Sequence, residues 1–130
     1  MASLYKEIRI QASAAAIWDA ARDIGALHTR LVPGFVVDTQ LDAGGRVVTF
    51  GNGMKLREPI ITVDDARRRM VWSAEGGATT HYNAVLQIHE DGAGARVQWT
   101  TDFLPDSVSD AISGMQDQGL AAMKRAFENR

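Results

Sequence analysis

Glu58 is the residue of this chain best suited to moving a proton. It continues the alternation of Met54, Leu56 and Ile60, which turns it toward the apolar face of its strand. Desolvation there disfavours the charged carboxylate and raises its pKa, as a general acid or base requires. Pro59 leaves a second reading open, because a bulge at the proline would reset the phase and send Glu58 to solvent. Tyr82 and His28 are the other polar candidates. Tyr82 shares a face with Ala84, Leu86 and Ile88, and a phenol joins a large apolar body to one hydrogen-bonding group. His28 lies in a short helical segment before Pro33-Gly34, where it gates an entrance, contacts a ligand's polar end or sits as a partly exposed surface residue.

Several other chemistries are excluded or disfavoured. The chain has no cysteine, hence no disulfide, thiolate zinc site or Cys nucleophile. His81 and His89 share a strand face but stand roughly 27 Å apart at strand rise, too far to share a metal. No metal or cofactor is expected. Ser107, Ser109 and Ser113 belong to a helix and its start, so no nucleophile elbow is present. The glycines of Gly51-Asn52-Gly53 and Gly92-Ala93-Gly94 fall in hairpins, where they cannot form a phosphate loop between strand and helix. The formal net charge is -2 with both signs interspersed, and Arg67-Arg68-Arg69 follows Asp64-Asp65 in a turn. That pattern carries no nucleic-acid footprint. No apolar run approaches a membrane span, and the first residues lack the regions of a signal peptide. Together with the missing cysteines this leads us to expect a cytoplasmic protein.

The elements that must position these residues follow from periodicity and turn chemistry. Residues 3–10 alternate as a strand, with Leu4, Ile8 and Ile10 on one face and Tyr5 and Glu7 on the other. Ser13 reads as the N-cap of a short helix whose stripe is Ala14, Ile17, Trp18 and Ala21. Gly25 interrupts it, and 26–31 add a turn or two. Six strands then run consecutively: 35–41, 46–51, 54–63, 69–75, 80–90 and 96–104. Asn52-Gly53 predicts a two-residue hairpin, and only tight turns separate the strands, as in an antiparallel meander. The sets Val97, Trp99, Thr101, Phe103 and Tyr82, Ala84, Leu86, Ile88 face inward, joined by Val48 and Phe50 and by Met70 and Trp72, although Val71 leaves the phase of that last strand open.

A helix over 105–128 closes the chain, with Val108, Ala111, Ile112, Met115, Ala122, Met123 and Ala126 on one face. Ser107 and Asp110 have the spacing of a capping box. Gly119 interrupts the apolar face, although an interior Gly costs about 1 kcal/mol against Ala. It marks either close approach of helix to sheet or room left for a ligand. At 130 residues the chain is one α+β domain, a curved antiparallel sheet of about seven strands wrapped around the long helix.

This order resembles the START-like helix-grip superfamily, which includes polyketide cyclases and lipid-transfer domains. The resemblance spans essentially the whole chain and rests on Ala16-Ile17-Trp18, Leu27, Pro33, the run Gly94-Ala95-Arg96-Val97-Gln98-Trp99, and Phe103. It departs at the entrance loop, where Leu31-Val32 precede Pro33 and bacterial relatives often carry Trp. The resemblance implies a helix–sheet cavity that binds apolar or amphipathic small molecules, and in a minority of members catalyses a reaction.

Three functions are therefore weighed. The first is a binding module for a small hydrophobic or amphipathic molecule, held by Phe35, Phe50, Trp72, Tyr82, Trp99, Met115, Gly119 and Met123. The second is an aromatase/cyclase-type enzyme using Glu58, Tyr82 or His28, which needs at least two inward polar groups. The third is a protein-interaction domain of the chaperone-activator kind, which needs an exposed apolar patch. Lys55, Arg57 and Pro59 read as guards of an edge strand, so a monomer or weak homodimer is expected.

Overall fold

A computed structural model describes residues 1–129. Strand β1 (Ala2–Ile10) leads into helix α1 (Ala14–Arg22), a 3-10 turn (Ile24–Ala26) and a π-turn (Leu27–Leu31). The meander follows as β2 (Val36–Asp42), β3 (Gly45–Phe50), β4 (Lys55–Asp64), β5 (Arg69–Ser73), β6 (His81–Asp91) and β7 (Gly94–Leu104). A 3-10 turn (Asp106–Val108) then opens into the long helix α2 (Ser109–Glu128). The seven strands form one antiparallel sheet in the order β1-β7-β6-β5-β4-β3-β2. This is the helix-grip arrangement. No helix among the described residues is long and apolar enough to cross a membrane.

Local chemistry accounts for most of these elements. The Ser13 hydroxyl accepts from the Ala16 N–H at 3.1 Å, and α1 buries Ala14, Ile17, Trp18, Ala20 and Ala21. Strands β6 and β7 keep strict alternation, so Tyr82, Ala84, Leu86, Ile88, Val97, Trp99, Thr101 and Phe103 are all buried. Met70 and Trp72 are buried too, which settles the phase of β5.

Four local expectations are corrected. Val108, not Ser107, precedes α2, and no side chain caps it. The intervening 3-10 turn moves Ser107 out of reach, and Ser109 instead donates to the Asp106 carbonyl at 2.6 Å. The β3–β4 hairpin closes through three residues, Gly51-Asn52-Gly53, with Gly53 N–H bonded to Phe50 O at 2.9 Å and Phe50 N–H to Met54 O at 2.8 Å. Only Gly53 takes positive φ (90°), the signature of a turn followed by a bulge. The register shift of β4 lies between Ile60 and Thr62, beyond Pro59, so the phase through Glu58 is intact. Finally, β4 is paired on both sides, and the free edges belong to β1 and β2. Lys55, Arg57 and Pro59 therefore guard no edge.

Helix α2 does not lie centrally over the sheet. Its contacts are concentrated on β1, and Lys6 of β1 pairs with Asp117 at 3.0 Å. Gln116, fully buried, fastens the helix to β7 by donating to the Trp99 carbonyl at 3.1 Å and accepting from the Thr101 hydroxyl at 3.0 Å. At Gly119 an added Cβ would come within 2.7 Å of Trp99 Cζ3 and 3.1 Å of Phe35 Cε2. The helix thus sits tight against one side of the sheet. Over the other side, above β3 to β5, it leaves space.

Candidate functional site

That space is a cavity of about 480 Å³. Trp72, Trp99, Phe50, Met70, Leu86 and Met123 form its buried walls, while Phe35, Met54 and Met115 are half-buried. Asn52, Gly77, Ala78, Asp110 and Gly114 line it but are exposed, so the mouth lies between the β3–β4 hairpin, the β5–β6 loop and the start of α2. The aromatic walls support one another. Phe35 and Phe50 meet edge to face at 5.4 Å, and the Trp72 and Trp99 rings lie 6.2 Å apart. A second hollow of about 330 Å³ shares Phe35, Phe50, Asn52, Met115 and Gln118 with the first.

The polar floor of the cavity is an ion pair. Arg46 and Glu58 are direct partners across β3 and β4, and both point inward. They are 3 % and 6 % exposed. Arg46 Nε donates to Glu58 Oε1 at 2.9 Å, Nη1 donates to the Ile24 carbonyl at 3.3 Å, and the guanidinium carbon lies 5.9 Å from the Trp72 ring centre. Burial pushes the Glu58 carboxyl above its ordinary value, and the charge and hydrogen bond of Arg46 pull it back. Removing the Glu58 charge would leave the buried Arg46 guanidinium without its partner. Burial is the larger effect, so the carboxyl stands above its ordinary value even with Arg46 beside it.

Tyr82 completes the polar set. Burial raises its pKa well above the ordinary phenol range, the Glu58 charge raises it further, and the Trp99 indole partly opposes both. Its hydroxyl therefore keeps its proton. The Trp99 N–H is buried and reaches no acceptor in hydrogen-bonding geometry, which costs about 1–3 kcal/mol for such a group.

Of the residues singled out in the sequence, Phe35, Phe50, Glu58, Trp72, Tyr82, Trp99, Met115 and Met123 all line the cavity. Two do not. Gly119 lies under Trp99 and Phe35, where it permits contact and opens no space to a ligand. His28 Nδ1 pairs with the buried Thr39 hydroxyl at 3.1 Å and stands away from the mouth. His81 and His89 bond to Asn83 and Gln98 along the opposite face of the sheet. Arg46 is the residue the sequence reading missed. The signal was available, because Arg46 shares its parity with Val48 and Phe50.

The family profile described as polyketide cyclase / dehydrase and lipid transport matches residues 1–128. The chain belongs to this family. Among solved structures, this family member is similar to a protein from Bacillus thuringiensis at 22% identity and TM-score 0.86, covering 97% of this chain and 98% of that one. It is also similar to the di-domain ARO/CYC BexL from the BE-7585A biosynthetic pathway, at 14% identity and TM-score 0.83, covering 98% of this chain and 47% of that one. Norcoclaurine synthase from Thalictrum flavum gives 20% identity and TM-score 0.74, covering 95% of this chain and 91% of that one. At these identities the likeness is one of fold. No protein with a curated description matches the sequence.

Proposed function

We propose that the chain binds a small apolar or amphipathic molecule, of lipid-like, polyketide-like or aromatic character, between α2 and the sheet. One observation carries this reading: a cavity of about 480 Å³ with aromatic and aliphatic walls, closed at its floor by one buried polar pair. Its size falls within the ordinary range for small-molecule sites, and its few polar groups are of the kind that orient a ligand. Binding would remove apolar ligand surface from water, at about 25 cal/mol per Å². The test is titration with the neutral dye N-phenyl-1-naphthylamine. Saturable binding is expected, weakened at least about tenfold by Ala74→Leu, which fills the cavity from β5's end. Equal affinity in both proteins would place the dye elsewhere and count against the reading.

A second reading is supported by the pairing of Glu58 with Tyr82. A carboxylate with an elevated pKa and a phenol that keeps its proton, both in one cavity, are a base and a donor. On a ketone ligand, Glu58 would take a proton from the carbon beside the carbonyl. Tyr82 or Arg46 would donate to the carbonyl oxygen as it gains charge. Deuterium exchange at that carbon of a bound ketone, lost in Glu58→Gln, is the expected result. No exchange above buffer would leave binding as the sole activity.

A further inference from the structure

The Arg46–Glu58 pair is made by a single hydrogen bond rather than a two-pronged one. Nη2 of Arg46 and Oε2 of Glu58 have no hydrogen-bond partner among the described residues. Trp99 Nε1 is the sole buried side-chain atom there that is both sealed from solvent and unpaired, so Nη2 and Oε2 are not sealed. Both residues line the cavity. A donor and an acceptor thus stand side by side on its floor, on two side chains each more than nine-tenths buried.

Resting on the binding reading above, we propose that the site selects an uncharged amphipath. Its buried end presents one acceptor to Arg46 Nη2 and one donor to Glu58 Oε2, as the hydroxyl of a phenol or the hydroxyl and carbonyl of a hydroxyketone would. The pair is neutral as a unit, so an anionic head adds a net charge to a desolvated site, and so does a cationic one. A purely apolar head leaves both polar atoms without partners. The aromatic walls around Trp72 and Trp99 suit a flat ring behind that head.

Four probes with one ring system decide this: 2-naphthol, 2-methoxynaphthalene, 2-naphthoate and (2-naphthyl)methylammonium, titrated at pH 7. For the native protein, 2-naphthol is expected to bind about tenfold or more tighter than each of the others, the discrimination one matched hydrogen bond provides. Glu58→Gln removes the negative partner and leaves the cation, so the order of naphthol and naphthoate inverts. Equal affinities for naphthol and its methyl ether in the native protein overturn the proposal, as does a preference for either ion. An unchanged order in a folded Glu58→Gln protein does the same. The native series decides alone if that variant does not fold. If the neutral dye also fails to bind, the binding reading itself falls; if the dye binds and the four probes do not differ, only this inference falls.

Discussion

Gly119 allows the packing of α2 to be tested with a number attached. Replacing it with Ala gains helix propensity of about 1 kcal/mol, because an interior Gly is penalised by that amount. The new methyl carbon would lie 2.7 Å from Trp99 Cζ3 and 3.1 Å from both Trp99 Cη2 and Phe35 Cε2. Those distances are well inside ordinary contact, so the Trp99 ring must move, and the cavity it lines offers it room. Overpacking of this kind costs about 1–3 kcal/mol. The net expectation is a loss of about 1 kcal/mol, or about 3–5 °C in melting temperature for a domain of this size. Gly119→Leu should lose about 3 kcal/mol or more. Both should weaken dye binding, because the displaced indole takes up cavity volume. Thermal unfolding and dye titration on the same samples give the two readouts. A Gly119→Ala protein more stable than the native one, with dye affinity unchanged, would refute the close-packing account. So would a Gly119→Leu protein that keeps its stability, since the helix face would then have had room to spare.

Other perturbations test the polar floor, the helix anchor and the assembly. Arg46→Met alone leaves Glu58 buried without its partner and should cost about 3–5 kcal/mol in urea unfolding, whereas Arg46→Met with Glu58→Leu should restore or exceed native stability. Glu58 is raised from its ordinary value of 4.5, so the native state holds this proton more tightly than the unfolded one. Its contribution to stability is then full below that value and is lost as the pH rises through the folded pKa, a slope that Glu58→Gln removes. Direct NMR titration of the carboxyl carbon checks it, and a midpoint at or below the ordinary value contradicts it. Gln116→Leu strips the Thr101 hydroxyl and the Trp99 carbonyl of their helix partner and should cost about 1–3 kcal/mol by calorimetry. Sedimentation at micromolar concentration should show a monomer or weak dimer, because the free edge β2 is broken by a bulge between Val36 and Asp38 and carries Asp38 and Asp42.

Parity made most of the cavity wall legible in advance. Trp72, Tyr82, Trp99 and Phe50 were placed correctly because a strand covered on one side permits only one phase. The same rule places Arg46 on the face of Val48 and Phe50, but a charged residue is rarely buried unless paired, and parity alone names no partner. Its partner is legible only once Arg46 is known to stand opposite Glu58, and register between strands is not written in either strand alone. The edge assignment failed differently. A consecutive meander already makes β4 an interior strand, so charge composition was allowed to outweigh topology. The capping box failed because Asp106–Val108 tightened into a 3-10 turn, a choice that depends on how the chain leaves β7. The resemblance implied a cavity between helix and sheet, but where that cavity sits was beyond reach. It exists because α2 leans on β1 and is held there by Gln116, Lys6 and the contact at Gly119, a tertiary position with no local signal.

The same geometry bears on why the chain keeps a buried ion pair at all. Well-packed apolar residues in place of a buried ion pair are often as stable or more so, since desolvating two charges offsets most of their attraction, and the double variant above is expected to follow that rule. A Met and a Leu would also shrink the polar floor to nothing and leave a uniformly greasy pocket. Stability therefore does not account for the pair, and neither does solubility, because both side chains are buried. What the pair supplies is a directional donor and acceptor in an otherwise apolar cavity, held by a hydrogen bond to the Ile24 carbonyl and by the face of Trp72. Those supports fix the guanidinium before any ligand arrives, so little ordering cost remains to be met on binding. On the proposed binding function, a preorganised polar group in an apolar cavity serves to orient the molecule that enters it.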